Sequence, residues 1–483
     1  MKTMDTRQLC INGQWVDSTG RGTIAVENPA TEEIIATIPA GTEADAVRAL
    51  EAAQAAQPAW AALPAVERAN LLLRLADLVV RDRDVLARII TSEQGKPLRE
   101  SYEELGGTET FLRWAAESAR RIGGDIMPSD NVDERIEIHR VPYGVVVALT
   151  AWNFPSALVA RKIGPALMAG NTVVIKPHEA TPLSSLEIAR LADEAGFPPG
   201  TVNVVMGTGR TVGDTLVRHP ITRFVTMTGS VRAGQEIMKA GADTVTMLRL
   251  ELGGKAPFLV MEDADVDKAV DALMISRFYN NGQVCTCADR VYLHEAIADE
   301  FIARLLPRVE ALTQGDPMGN PDLGAKVSAM EVEKLVAMVD GAVTAGATLL
   351  TGGGRPEGDA YEKGHWFAPT VLVDVDDSFD IMRKEIFGPV IPITRVTDFE
   401  QALACANDSD YGLSAYLFTR DLRRINRLVQ DLDFGEIYVN RPMGEAINAF
   451  HSGHKLSGIG GEDGAYGVDA YFQKKTIYVN YAE

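Results

Sequence analysis

What constrains this chain most is a repeated pairing of a short, unbroken β-branched run with a helical segment behind it. Residues 145–150, VVVALT, are apolar almost throughout, as a strand covered on both faces must be, because a half-exposed strand alternates. A helix over roughly 156–169 ends at Gly170, and TVVIKP (172–177) reads as the next strand, closed by its proline. The pattern then predicts a helix near 183–195, a strand in TVNVVM, a helical stretch from Arg210 to Arg218 and a strand in RFVTM. A helix over 231–240 and a strand around 244–250 complete this series. Parallel strands need crossovers, and crossover helices cover both faces of the sheet, so the expected fold class is α/β with a doubly wound parallel sheet.

A second series starts after ELGGK (251–255), with PFLVM as a strand, a helix near 265–277 and RVYLHE as a strand. Two doubly wound domains are therefore expected, with their boundary at Gly253 and Gly254. Two further segments, ERIEIHRV (134–141) and KKTIYVNY (474–481), alternate like edge strands. They read equally as peripheral strands or as an oligomer-forming element. The length of 483 residues supports this division, since about 150 residues per domain gives roughly three units.

Charge narrows the partners. Lys plus Arg number 47 against 67 Asp plus Glu, a formal net charge of −20, which repels phosphate backbones and anionic lipid surfaces. No nucleic acid partner and no membrane association are expected, and no run approaches the ~20 apolar residues of a membrane span. Cysteines stand only at 10, 285, 287 and 405, too few for a disulfide framework in a chain this long. Together with a start, MKTMDTRQLC, that lacks a signal-like apolar core, this predicts a cytoplasmic setting.

Several segments suit a dinucleotide. GTGRTVG, with Gly207, Gly209 and Gly213, follows a strand and could let backbone approach a pyrophosphate, although the spacing also suits an ordinary tight turn. TGS at 228–230, with Gly229 and Ser230, follows the next strand and has the same two readings. KPHE (176–179) ends a strand where ligands of open α/β sheets bind. There Glu179 could accept ribose hydroxyls and repel a 2′-phosphate, favouring NAD over NADP, or Lys176 and Glu179 could simply be solvated.

FYNNGQVCTCADR (278–290) carries two cysteines. Cys-x-Cys without a second such pair does not make a metal site, and a thioredoxin-like centre wants Cys-x-x-Cys. The polar, glycine-bearing NNGQ before Cys285 reads as a loop near ligand, which makes a nucleophile one candidate.

FYNNGQVC, LELGGK (250–255), PYGVVVALTAWNFP (142–155), NPATEE, KEIFGPV (384–390) and SGIGGEDG (457–464) stand in one order along nearly the whole chain. In these motifs the chain resembles the NAD(P)-dependent aldehyde dehydrogenase superfamily. The resemblance implies an NAD-binding domain (1–124 and 142–253, with 441–461 returning to it), a catalytic domain (254–440) and oligomerisation strands (125–141 and 462–483). It implies a homo-oligomer, dimeric or tetrameric. It further implies Cys285 as nucleophile, Glu251 as general base and Asn153 as oxyanion donor, with no metal. Trp152, Lys176, Glu179, Gly209, Gly213, Gly229, Ser230, Glu385 and Phe387 would then serve NAD. Cys287 would be a bystander that could form a protective disulfide with Cys285.

Within the superfamily, FGEIYVNRPMGEAINAFHSG (434–453) is similar to the bacterial lactaldehyde and glycolaldehyde dehydrogenase group. That similarity implies Arg161, Glu445 and His451 as contacts for a small hydroxyaldehyde. Pro442, Met443 and Gly444 depart from the group's pattern, so the pocket wall should differ. A succinate-semialdehyde dehydrogenase would share Arg161, but its usual second arginine is Tyr279 here. A low-turnover NAD-binding or structural protein is the non-enzymatic alternative, against which the intact Cys285, Glu251 and Asn153 set argues.

Overall fold

The structure, a computed structural model, describes residues 5–482. Its two large sheets follow the two series read from the sequence. The first has eight strands in the order Gly458–Ile459, Met247–Glu251, Thr222–Thr228, Val145–Leu149, Thr172–Lys176, Val202–Val204, Leu9–Ile11 and Gln14–Val16. Its five central strands are parallel. The flanking strands pair antiparallel and come from distant parts of the chain, which periodicity could not show.

The second sheet has seven strands in the order Thr348–Thr351, Thr370–Val373, Val390–Val396, Ala288–His294, Ala256–Val260, Ser414–Phe418 and Glu436–Val439. Only the first of these pairs antiparallel. Consecutive side chains of a strand point to opposite faces. Accordingly Phe258 and Val260 enter one apolar core while Leu259 and Met261 enter another on the opposite face. A strand buried on both sides needs this continuous hydrophobicity.

Helix Ala157–Met168 is buried along its whole length, Arg161 and Lys162 included, so each of those cations must find a partner inside the protein. The two alternating segments pair with each other in a third, antiparallel sheet, Phe472 opposite Pro142 through Asn480 opposite Glu134, extended by Asp125–Met127. A further small sheet joins Thr23–Asn28 and Glu33–Pro39 near the N-terminus.

The first sheet reverses strand order between Val145–Leu149 and Thr222–Thr228. Loops leaving neighbouring parallel strands in opposite directions open a crevice at their carboxyl ends, where ligands of such sheets bind. Trp152, Asn153, Gly229 and Ser230 lie just beyond those ends, and Glu251 ends the adjoining strand. LELGGK leads from there into the second sheet. A Cβ on Gly254 would lie 2.2 Å from the Cys285 carbonyl oxygen, so only glycine lets this segment pass against the cysteine loop.

Candidate active site

Cys285 sits in the loop before strand Ala288–His294, half exposed to a cavity of about 540 Å³. Asn153, Arg161, Glu251, Glu445 and His451 line the same cavity. These residues come from five chain segments, and the junction of the two sheets gathers them.

The loop reaches the cavity through Tyr279, Val284, Cys285 and Thr286, while the polar side chains of NNGQ are turned inward. Asn280, Asn281 and Gln283 are fully buried or nearly so, and they act as braces. Asn280 takes a left-handed backbone conformation, donates its N–H to Glu100 (2.9 Å) and its Nδ2 to the Asn153 carbonyl (2.9 Å). Gln283 accepts from the Val327 N–H and offers its carbonyl to Asn153 Nδ2 (3.0 Å). Buried Lys96 donates to the Asn153 carbonyl and to Glu104, each at 2.7 Å. Polarity served internal hydrogen bonding, because buried amides must be satisfied. Asn153 itself keeps its Oδ1 without a partner, and one N–H of its amide is spent on Gln283, leaving the second to face a ligand.

Glu251 is 4 % exposed, and both of its carboxylate oxygens lack a hydrogen bond. His451 Nε2 lies 3.4 Å away. Burial pushes the Glu251 carboxyl up to about 8, His451 opposing it only partly. A buried carboxyl that can take up or release a proton near neutrality is suited to general base chemistry. Burial likewise pushes the Cys285 thiol up, against which the His451 ring, hydrogen-bonded to it, pulls down. Cys287, at 3 % exposure, is pushed up to about 12 by burial and both cysteines are free. Burial makes Cys287 inert packing.

Arg161 lines the cavity but is heavily committed. Its guanidinium is hydrogen-bonded to Asp463 (Nε to Oδ1, 3.0 Å) and lies 3.2 Å from Glu445 and 3.3 Å from Glu462. Lys162 bonds Glu462 at 2.6 Å. His451 Nδ1 is 3.0 Å from Glu436 and 3.6 Å from Glu445. Glu436, Glu445 and His451 have ligand atoms within 4.8 Å of one another, and carboxylate–imidazole pairing accounts for the grouping. Glu436, Glu462, Asp463 and Lys162 were not picked out from the sequence. Glu462 and Asp463 lie within the recognised SGIGGEDG, but nothing in the spacing ties them to a helix some 300 residues earlier.

The cofactor candidates line the carboxyl edge of the first sheet. Glu179 accepts from the Gly209 N–H at 3.0 Å and lies 3.4 Å from Lys176; burial pushes its carboxyl up, but Lys176, His178 and hydrogen bonds together outweigh it and hold the carboxyl below its usual range. Gly209 starts a wide helical turn, Gly209–Gly213, that leads into Asp214–Arg218. A Cβ on Gly209 would meet nothing within 4 Å, so the space beside it is open rather than packed. Ser230 caps helix Val231–Gly241 through Oγ, Gly229 donates to the Glu251 carbonyl at 2.9 Å, and Thr228 Oγ1 is buried without a partner. Glu385 accepts from the Gly254 N–H at 2.8 Å. Phe387, with φ of 55°, packs edge-on against Trp152 at 5.3 Å. An open glycine turn, an orphaned hydroxyl and an aromatic pair whose Trp152 is next in sequence to Asn153 fit a dinucleotide.

Comparison with known proteins agrees with this geometry. The sequence profile of the aldehyde dehydrogenase family matches residues 15–477. A 3,6-anhydro-alpha-L-galactose dehydrogenase of Vibrio sp. (strain EJY3) is 47% identical over 479 residues, covering 99% of this chain and 100% of the relative. Lactaldehyde dehydrogenase of Escherichia coli (strain K12) is 42% identical over 473 residues, covering 98% of each. A solved 3,6-anhydro-L-galactose dehydrogenase in complex with NADP matches with a TM-score of 0.97 at 48% identity, covering 99% of this chain and 100% of that one.

Proposed function

Because the chain belongs to the aldehyde dehydrogenase family, we propose that it oxidises a neutral, hydroxyl-bearing aldehyde to its carboxylic acid with NAD. The observation that carries the substrate class is the charge balance around Arg161. Arg161, Lys162 and His451 face Glu251, Glu436, Glu445, Glu462 and Asp463, three cations against five carboxyls. Among the described residues lining the cavity no further cation stands ready to pair with a second carboxylate on the substrate, and Tyr279 supplies none. A semialdehyde of a dicarboxylic acid would meet like charge at a cost of several kcal/mol. Hydroxyl groups, by contrast, can both donate to Glu445 and accept from Arg161 or His451.

Size extends the reading beyond three-carbon aldehydes. Pockets of about 300–1,000 Å³ hold drug-sized ligands, so the cavity of about 540 Å³ has room for a six-carbon anhydro sugar aldehyde, the class named for the Vibrio relative. Lactaldehyde and glycolaldehyde fit with room to spare.

In this reading the Cys285 sulfur attacks the aldehyde carbon and forms a thiohemiacetal. The second Asn153 N–H and the Cys285 backbone N–H hold the developing oxyanion. Bound NAD supplies the hydride acceptor. The chain's part is to hold Cys285 against that site. Glu251 then takes a proton from water, which attacks the thioester and frees the acid.

Glu179 argues for NAD, since a 2′-phosphate would meet its carboxylate, although Lys176 beside it softens the repulsion. The test is a panel of 3,6-anhydrogalactose, L-lactaldehyde, glycolaldehyde and succinate semialdehyde, each with NAD and NADP, read by formation of the reduced nicotinamide. The neutral hydroxyaldehydes with NAD are expected to exceed succinate semialdehyde in kcat/KM by about a hundredfold or more. Comparable turnover of succinate semialdehyde would end the charge argument, and an NADP preference would end the Glu179 argument.

A homo-oligomer, dimeric or tetrameric, fits the third sheet, where Ile126 and Tyr478 are 78% and 67% exposed. Light scattering of the purified protein is expected to give two or four chains per particle, and a monomer would refute it.

A further inference from the structure

Lys96 and Glu104 pair at 2.7 Å with both side chains wholly out of solvent. Two buried charges are a weak source of stability, because well-packed apolar residues often serve as well. Their value lies in what they hold. An ammonium has three donors to place. Glu104 Oε2 and the Asn153 carbonyl, each at 2.7 Å, accept two of them, and the ring of Phe154, the next residue, has its centroid 3.9 Å away. Glu104 in turn accepts at Oε1 from the N–H groups of Ser156 (2.8 Å) and Ala157 (3.2 Å), where helix Ala157–Met168 begins. One ion pair therefore fixes residues 153–157 at both ends.

The same stretch reaches the cysteine loop. Gln94 Nε2 donates to Asn280 Oδ1 at 3.0 Å, and Gln94 Oε1 accepts from the Lys96 N–H at 2.9 Å. Asn280 Nδ2 joins Lys96 on the Asn153 carbonyl at 2.9 Å, and the Gln283 carbonyl, two residues before Cys285, accepts from the Asn153 amide at 3.0 Å. A buried carbonyl shared by two donors cannot move without leaving one of them unsatisfied. Asn153 and Phe154 line the cavity, and Lys96 and Glu104 stand behind them, outside its lining.

We propose that Lys96, held by Glu104, is a positioning residue for the oxyanion: it fixes the Asn153 backbone so that the free N–H of the side-chain amide stays aimed at the oxygen of the reacting aldehyde. The inference rests on the reading of Asn153 as that donor and adds the group that aims it. Donors stabilise a developing oxyanion only when they are already placed, about 2.7–3.1 Å from where the charge will be. A misplacement of about 1 Å can cost on the order of a hundredfold in rate. Because the pair lies outside the cavity lining, its loss falls on the rate of the bound complex and spares binding.

The experiment is a double-mutant cycle in the full chain. It reads the first-turnover rate of reduced nicotinamide formation at saturating NAD, with whichever of the four aldehydes above the wild type oxidises fastest. Lys96→Met combined with Glu104→Gln removes both charges together and leaves no lone ion buried. That variant is expected to be slower by about tenfold to a hundredfold, with KM for aldehyde and quenching by NAD changed less than about threefold. Asn153→Ala is expected to be slower by about a hundredfold or more. In the Asn153→Ala background the pair replacement is expected to cost less than about twofold further, because the amide it aims is gone. A pair variant as fast as the wild type, or one that loses the same factor with and without the Asn153 amide, would overturn the proposal while leaving Asn153 as donor. Wild-type speed in Asn153→Ala would remove the donor reading itself, and the proposal with it. Should the double replacement fail to fold, Lys96→Arg decides in the same cycle. Its planar fork on a longer stem keeps the charge but not the placement, so a loss of about fivefold or more that vanishes without Asn153 is expected, and wild-type speed would overturn the proposal.

Discussion

Cys285→Ala is expected to abolish aldehyde oxidation, lowering kcat by on the order of 10⁴-fold or more, while leaving dinucleotide binding intact. The alanine removes the atom that the proposed mechanism needs for the covalent bond, and among the described residues no other cysteine lines the cavity. Cys287 is buried with its thiol pushed up to about 12, and Cys10 and Cys405 belong to other parts of the fold. The fold should tolerate the change, since Cys285 is half exposed to a cavity and contributes little packing. Dinucleotide binding can be followed through quenching of protein fluorescence, because Trp152, edge-on to Phe387, is among the residues expected to meet the cofactor. Retained quenching with no reduced nicotinamide formed is the expected pair of results. Substantial turnover by the alanine variant would remove Cys285 from the chemistry.

Each strand of the two large sheets that the sequence marked is present, because a parallel strand buried on both faces has no polar positions to disguise it. VVVALT and PFLVM are examples. What stayed hidden were the edges. Leu9–Ile11 and Gly458–Ile459 are short, and they join the first sheet from opposite ends of the chain. Their pairing is set by tertiary packing rather than by local pattern. Met247–Glu251 begins with an exposed methionine and carries a half-buried arginine, so its start was read three residues too early.

Site residues were legible where a motif carried them and illegible where only space brings them together. Cys285, Glu251 and Asn153 stand in recognisable stretches and do meet at one cavity. Glu436 stands in a plain alternating strand, EIYV, and nothing in that pattern announces a carboxylate bonded to a histidine fifteen residues on. NNGQ taught the opposite lesson. Its polarity reads as a loop near ligand, and it braces that loop from within, since a buried loop needs hydrogen bonds that apolar residues cannot make. Arg161 likewise reads from the sequence as a free substrate-binding cation, while three carboxylates on the same guanidinium change what it can recognise.

The second large effect is expected at Glu251. Glu251→Gln should lower steady-state turnover by on the order of 10²- to 10⁴-fold, yet leave a burst of reduced nicotinamide equal to one per active chain in the first turnover. In the proposed scheme Glu251 serves the attacking water, so acylation and hydride transfer precede its step and the loss falls on hydrolysis of the thioester. Glutamine keeps the size of the side chain and leaves His451 bonded to Glu436, so the change is chemical rather than structural. The pH profile carries the sign. Burial holds the Glu251 carboxyl up to about 8, so the base form grows as pH rises through that value and the hydrolysis-limited rate of the wild type climbs with it. The glutamine variant has no such group, and its residual rate should lack that limb. A variant with neither burst nor turnover would place Glu251 before hydride transfer as well, and the burst amplitude is therefore the measurement that separates acylation from hydrolysis.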